Sequence, residues 1–286
     1  MPELPEVEII IRDLKKFLPG LKITGFWSDL PRLTRVKAGV INEKILKIER
    51  IGKNILISLS SNITLLVHQK MTGHLMYGKW KLGVGGWKSI LPGPMRDDPQ
   101  NRFIHLLFFL SNGSQLALCD MRKFAKVLVW PTDKLNKLKD IKLGPDPMDK
   151  NFDFKKFKNA LAGKKLKIKQ ALMDQSIIAG IGNIYSDEIL WIAGIHPFKK
   201  TEALKEQELK KIYSAIWPVL KRAIIARGSS YIDYRDASGK KGNYQNMQYA
   251  YGMEGEKCKK KDGGIIKRIK MAGRSAHFCP VHQKMF

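Results

Sequence analysis

The period of the hydropathy pattern changes once along this chain, and the change falls at Leu143-Gly144-Pro145-Asp146-Pro147. Two prolines in three residues cannot continue a helix or a central strand, so the segment reads as a connection between two differently built halves. Upstream of it, apolar residues come in short runs over 45–51, 54–59, 63–67, 103–110, 115–119 and 126–130, separated by turn residues. That pattern predicts a sandwich or barrel-like sheet. Ser111-Asn112-Gly113-Ser114 is its clearest hairpin turn, because Asn and Gly tolerate positive φ, and the Gly-, Pro- and Trp-rich stretch 77–100 reads as a loop. One helix precedes the strands: Val7, Ile10, Ile11, Leu14 and Phe17 recur at three- and four-residue steps until Pro19-Gly20 ends them. Downstream the period is helical over 154–161, 168–174, 184–193 and 205–226. The Gly-, Ser- and Tyr-rich residues 228–248 read as mobile.

The fold class expected is therefore α+β: an N-terminal β-sandwich domain with a leading helix (1–133), a linker (134–151), a helical domain (152–248) and a small terminal appendage (249–286). A length of 286 residues suits about two domains, and 44% hydrophobic residues are too many for a disordered basic tail. Against 26 acidic residues stand 52 Lys and Arg, a formal charge of +26, which predicts a polyanionic partner, most simply nucleic acid. Charge alone does not separate an enzyme from a passive binder. No apolar run approaches the roughly 18 residues that cross a bilayer, and the opening Met-Pro-Glu-Leu-Pro-Glu-Val-Glu is not a signal peptide. Three cysteines cannot form a disulfide framework and fit a reducing cytoplasm. Of these, Cys119 lies in an apolar run and reads as a buried, inert thiol.

Several residues could carry chemistry. Removal of Met1 would leave Pro2 with a free secondary amine beside Glu3 and Glu6, able to attack an electrophilic sugar carbon while a carboxylate moves protons. The plainer reading is that Pro and Glu open a helix, where both are favoured. Asn183 follows Gly180-Ile181-Gly182 and opens an apolar helix; such glycines let backbone N–H groups approach a phosphate, although Asn183 could equally be an N-cap.

The N-terminal octapeptide resembles the start of the formamidopyrimidine-DNA glycosylases, bacterial enzymes that excise oxidised purines. Further segments, in order, resemble the same family: His68-Gln69-Lys70-Met71-Thr72-Gly73, Asp120-Met121-Arg122-Lys123-Phe124, Gly180 to Tyr185 with Gly194-Ile195-His196-Pro197, and Arg274 five residues before Cys279. The resemblance spans nearly the whole chain. It implies a helix–two-turn–helix DNA-binding domain with a lesion loop over 228–244, and a β-hairpin finger at the end. It also implies a bifunctional glycosylase and abasic-site lyase acting on damaged bases in double-stranded DNA. Pro2 would be the Schiff-base nucleophile, Glu3 the proton donor, Glu6 its support, and Lys53 the lysine for β-elimination and phosphate contact. Arg274 would grip phosphate and assist the second elimination. Met71, Arg122 and Phe124 would fill the space left by an extruded base. His68, Lys164 and Asn183 would touch the DNA backbone. His105 falls in a strand start where the surrounding residues differ from the family's, and no role is assigned to it. A monomer in the cytoplasm, associated with the nucleoid, is expected.

The finger departs from the family. Its usual pattern is two Cys-x2-Cys pairs, a strong zinc signature. Here the first pair reads Cys258-Lys259-Lys260-Lys261-Asp262, with one residue inserted, and the second reads Cys279-Pro280-Val281-His282. Zinc accepts imidazole and carboxylate, so Cys258, Asp262, Cys279 and His282 form a candidate zinc site; a zincless hairpin held by packing is the competing reading. Ser229-Ser230-Tyr231 replaces the family's Thr-Thr stretch in the lesion loop. Two alternatives stay open: an endonuclease VIII-type enzyme for oxidised pyrimidines, and a damage-binding protein without catalysis.

Overall fold

The computed structural model describes residues 1–231 and 233–285; Ile232, in the lesion-loop stretch, and Phe286, in the terminal appendage, lie outside the described residues. The chain divides into two compact units, one formed by Met1–Ile141 with Ala226–Gln245, the other by Lys142–Ile225 with the chain from Asn246 onward. Residues 226–245 thus fold with the N-terminal half although they follow the helices in sequence.

In the first unit, helix α1 (Leu4–Leu14) is followed by β1 (Ile23–Ser28), β2 (Ile45–Ile51), β3 (Asn54–Leu59), β4 (Ile63–His68), β5 (His74–Gly78), β6 (Trp80–Gly83), β7 (Gly86–Ser89), β8 (Ile104–Leu110), β9 (Gln115–Cys119) and β10 (Lys126–Pro131). Two four-stranded sheets form, ordered β1-β8-β9-β5 and β10-β4-β3-β2, with every pair antiparallel. One apolar core takes Ile55, Ile57, Leu65 and Val67 from the second sheet, Leu75, Phe108, Leu116 and Leu118 from the first, and Val7, Ile10, Ile11 and Leu14 from α1. Side chains alternate along a strand, so Leu56, Leu66 and Leu128 point the other way and pack on Leu135, Leu138 and Ile141. Both faces of the inner strands are therefore buried, which is why these segments read as continuous apolar runs.

Three local expectations change. Helix α1 ends at Leu14, not near residue 17; Leu18 takes the buried position, and Phe17, 42% exposed, stacks on Tyr77 with ring centroids 4.9 Å apart. The 77–100 stretch contains the β6–β7 hairpin, whose Trp80 and Trp87 cover the outer face of the first sheet beside Met76, Leu107 and Cys119; its strands are four residues each, too short for a period to show among the glycines. In the 111–114 turn only Gly113 takes positive φ, while the Asn112 side chain accepts the Ser114 N–H at 3.0 Å.

The second unit carries α2 (Phe154–Leu161), α3 (Ile168–Met173), α4 (Asn183–Ala193), α5 (Glu206–Ile225) and the hairpin β11 (Lys267–Met271) with β12 (Arg274–Phe278). Helix α4 is buried nearly all round, and Gly194 in the left-handed region closes its C-terminus.

Candidate active site and nucleic-acid interface

The first unit places the N-terminal candidates at the head of α1. Pro2, Glu3 and Glu6 are buried. Glu3 occupies the N-cap with extended backbone, and its N–H donates to Glu6 Oε2 at 2.9 Å. The other oxygen of Glu6 accepts the Ser229 N–H at 2.9 Å, so a single carboxylate spans the helix start and the entry of the 228–244 segment. Gly228 is required there: its φ is +77°, and a Cβ would lie 2.8 Å from Glu6 Oε1. Below this, the Tyr234 hydroxyl donates to the Glu6 carbonyl at 3.4 Å, and burial, with Glu6 nearby, raises its pKa and keeps it protonated.

The rest of that segment is held by charge. Arg227 pairs with Asp13 of α1 and with Asp236, Arg235 pairs with Asp98 at 2.6 Å, and the Tyr77 N–H donates to the Ala237 carbonyl at 2.8 Å. A stretch that reads as mobile in the sequence is thus tied to α1, to β5 and to the chain before β8. None of these anchors is a motif residue, and only Arg227, Arg235 and Asp236 clustered near glycines offered any signal.

Lys53 sits in the two-residue turn between β2 and β3 and is 5% exposed. Arg50 steadies this hairpin by donating to the Gly52 carbonyl at 3.0 Å and pairing with Glu8 of α1 at 3.1 Å. Burial pushes the Glu8 carboxyl up, but hydrogen bonds from Arg12 and Arg50 outweigh it and leave its pKa lowered. His68, opposite Asn54 across β3 and β4, accepts the Lys70 N–H at Nδ1, 3.0 Å away. Burial, then the Lys70 and Lys53 charges, hold its pKa down to about 4. It is therefore a neutral ring whose Nε2–H is its donor, suited to a phosphate oxygen.

Met71 and the Arg122–Phe124 turn come together through Thr72, whose hydroxyl donates to Asp120 and accepts the Arg122 N–H at 3.0 Å. Arg32 braces the same turn through the Ala125 and Lys123 carbonyls. Phe124 is 53% exposed, so it is not a core residue, and the Arg122 guanidinium lies over its ring at 4.7 Å. His105, unassigned on the sequence, pairs with Asp29 at 2.9 Å.

In the second unit, the N-cap of α4 is Gly182, and Asn183 is the first helical residue; its buried Oδ1 has no partner among the described residues. Gln175 shapes the preceding loop, accepting the Gly180 N–H at 2.8 Å and donating to the Ile181 carbonyl at 2.7 Å. Lys164 is exposed after α2, and Arg274 is exposed at the start of β12. Asp187 and Glu188, both wholly buried on α4, had no assigned role; their signal was two acids at positions that the apolar helix pattern turns inward.

Cys258, Asp262, Cys279 and His282 bring one ligand atom each to within 4.8 Å of one another. His282 Nδ1 lies 2.8 Å from Asp262 Oδ2 and 3.5 Å from Cys258 Sγ, and Cys279 Sγ lies 3.5 Å from Asp262 Oδ2. The other ring nitrogen, Nε2, donates to the Trp191 carbonyl at 3.1 Å, which leaves Nδ1 to face the cluster. The inserted knuckle residue is absorbed by Lys261 and Gly263, both at positive φ. Gly264 lets the two halves close, since a Cβ there would lie 2.3 Å from Cys279 Sγ. Two thiols, one imidazole and one carboxylate at this spacing fit a tetrahedral divalent ion.

A family model described as the formamidopyrimidine-DNA glycosylase N-terminal domain matches residues 1–127, and the corresponding H2TH domain matches residues 143–234. A formamidopyrimidine-DNA glycosylase of Pelotomaculum thermopropionicum is 41% identical over 292 residues, covering 100% of both chains. One from Heliobacterium modesticaldum is 37% identical, covering 99% of this chain and 100% of that one. The Lactococcus lactis Fpg in complex with abasic-site DNA superposes with a TM-score of 0.85 at 35% identity, covering 99% of each chain. A point variant of the same Lactococcus lactis protein, in complex with DNA containing Fapy-dG, gives the same score.

Proposed function

The chain belongs to the formamidopyrimidine-DNA glycosylase family and is a DNA glycosylase and abasic-site lyase for oxidised purines in base excision repair, and we propose that it works through a Schiff base on Pro2. The observation that carries the site reading is the Glu6 carboxylate, which holds the Glu3 N–H and the Ser229 N–H at 2.9 Å each. Glu6 thereby links the helix start, where Pro2 and Glu3 are buried, to the segment that would close over an everted base.

With Met1 removed, the Pro2 nitrogen attacks C1′ of the damaged nucleoside, the glycosidic bond breaks, and Glu3 moves the proton that ring opening to the iminium requires. Loss of a C2′ proton then breaks the C3′–O bond, and a second elimination breaks the C5′–O bond. Lys53 and His68 hold phosphate in the first unit, the one as a cation and the other as a neutral donor. Asn183, Lys164 and Arg274 do so in the second. Met71, Arg122 and Phe124, exposed or half-buried on two turns that Thr72 joins, occupy the gap left in the stack. Cys258, Asp262, Cys279 and His282 would hold zinc, which when bound supplies a structural cross-link beneath the hairpin carrying Arg274. We assign the enzyme to the cytoplasm, beside the chromosome it repairs; no described helix is long and apolar enough to cross a membrane.

Borohydride trapping on duplexes containing 8-oxoguanine or an abasic site tests the reading. A covalent adduct that disappears when the N-terminal amine is blocked is expected. No adduct, or one that survives blocking, overturns the Pro2 assignment.

A further inference from the structure

The second unit contains a buried ion pair that the proposed chemistry does not use. Lys169 Nζ lies 2.6 Å from Asp187 Oδ1, and both side chains are 0% exposed. Burying two charges costs several kcal/mol per ion, and apolar side chains of similar volume often serve stability as well. What the pair supplies that an apolar pair cannot is its set of directed bonds. Lys169 Nζ also donates to the Asn183 carbonyl at 3.2 Å. Asp187 Oδ2 accepts both the backbone N–H and the Nδ1–H of His277, each at 3.0 Å. His277 stands on β12, three residues beyond Arg274. The next acid on α4, Glu188, takes the N–H groups of Tyr249, Ala250 and Tyr251 at 2.9 to 3.1 Å, so the chain leading into the hairpin is fixed to the same turn of the helix.

We infer that Asp187 is a positioning residue: it fixes the spacing between the Asn183 end of α4 and the strand that carries Arg274, so that the two reach successive phosphates of one DNA strand together. This rests on the phosphate contacts proposed for Asn183 and Arg274. The spacing of backbone phosphates is set by the DNA, and a group misplaced by about 1 Å from a bound partner forfeits much of its contact. One carboxylate bonded to β12 on one oxygen, and through Lys169 to the Asn183 carbonyl on the other, defines that distance with no flexible element between.

A double-mutant cycle on binding tests it. The full-length protein carrying Lys169→Met with Asp187→Leu removes both ties while filling the space, and its melting curve establishes that it is folded. Its Kd for a duplex bearing a non-reactive abasic analogue is expected to rise about 10-fold, which is about 1.4 kcal/mol. In an Arg274→Ala background the same pair of substitutions is expected to cost less than about 2-fold, because the misplaced contact is already gone. A full 10-fold loss in both backgrounds, or none in either, overturns the inference. Should the paired variant fail to fold, His277→Leu keeps the ion pair and removes one tie; it should weaken binding by a smaller factor that again vanishes with Arg274→Ala, and an undiminished loss there is equally fatal. The cycle reads binding to a duplex that cannot form a Schiff base, so its failure is separable from failure of borohydride trapping.

Discussion

Replacing Asp98 with alanine measures how firmly the 226–245 segment belongs to the first unit. Arg235 Nε lies 2.6 Å from Asp98 Oδ2, and the two side chains are 5% and 6% exposed. Without the carboxylate the buried guanidinium keeps its bonds to the Tyr234 and Asp233 carbonyls, at 3.0 and 3.4 Å, but loses this ion pair. Removing one partner of a buried pair costs about 3–5 kcal/mol. Asp98 also accepts the Gln100 N–H at 2.9 Å, a cap worth about 1 kcal/mol more. For a unit of this size each kcal/mol shifts Tm by roughly 2–4 °C, so Asp98→Ala should melt about 8–24 °C lower. Asp98→Asn, which retains the cap, should fall between, and Asp98→Leu with Arg235→Met should recover most of the loss. The exposed Lys158–Glu206 pair, with both side chains about half exposed, provides the contrast: breaking it should leave the melting temperature almost unmoved. Thermal and urea unfolding followed on all four variants decide the matter. A loss below about 1 kcal/mol for Asp98→Ala, or a double variant no better than the single, refutes the claim that this ion pair anchors the segment.

Three further outcomes are expected. Gly264→Ala drives a Cβ to within 2.3 Å of Cys279 Sγ, so metal content of the purified protein, or the visible spectrum after cobalt loading, should fall to background; unchanged uptake would mean the four residues are not the site. His74 and His68 are both held at a pKa of about 4, burial being the main cause. Between pH 6.5 and 4 the unfolded chain therefore takes up protons that the folded chain refuses, and stability should fall with pH by up to about 1.4 kcal/mol per unit per histidine; His74→Asn should flatten that slope, while leaving stability above pH 6.5 free of a pH-dependent change. Arg274→Gln should reduce the slope of log K against log salt by about 0.9, as loss of one phosphate contact demands; an identical slope would remove Arg274 from the interface.

Much of the first unit was legible because its strands are buried on both faces, so Ile55–Leu59 and its neighbours stand out as apolar runs. β1 was not, since Ile23–Ser28 mixes Gly25, Thr24 and half-exposed aromatics at a sheet edge and keeps no clear period. The chemistry proposed at the N-terminus was legible only through the order of separated motifs; composition alone favoured the plainer reading of Pro and Glu as helix openers, and Glu3 is an N-cap. Glu3 and Glu6 form a capping box at the start of α1, each side chain paired with the other's backbone N–H. Lys169 and Asp187 were invisible as a pair: they lie eighteen residues apart on different helices, and only folding puts them 2.6 Å apart.

Asp262 shows how a one-residue insertion is accommodated. A Cys-x2-Cys knuckle would put Lys261 at the ligand position, where a protonated amine cannot bind a cation. The chain instead places Lys261 and Gly263 at positive φ, turning Asp262 inward so that its carboxylate meets His282 Nδ1 at 2.8 Å and Cys279 Sγ at 3.5 Å. Partial burial would raise its pKa, but hydrogen bonds from the Gly264 N–H, His282 and the thiols outweigh it and hold it down to about 2, so Asp262 presents a carboxylate to the cluster. Two thiolates, one carboxylate and a neutral imidazole carry a charge of about −3 against −4 for four thiolates, and offer one hard oxygen. Zinc loaded into this hairpin should therefore pass to a chelator more readily than zinc in a four-cysteine finger. An Asp262→Cys substitution alone should not reverse this, because the knuckle would keep its inserted residue while a thiol reaches less far than a carboxylate. If the Asp262→Cys protein held zinc more tightly than the parent, measured by competition with a chromogenic chelator, that account of the insertion would be contradicted.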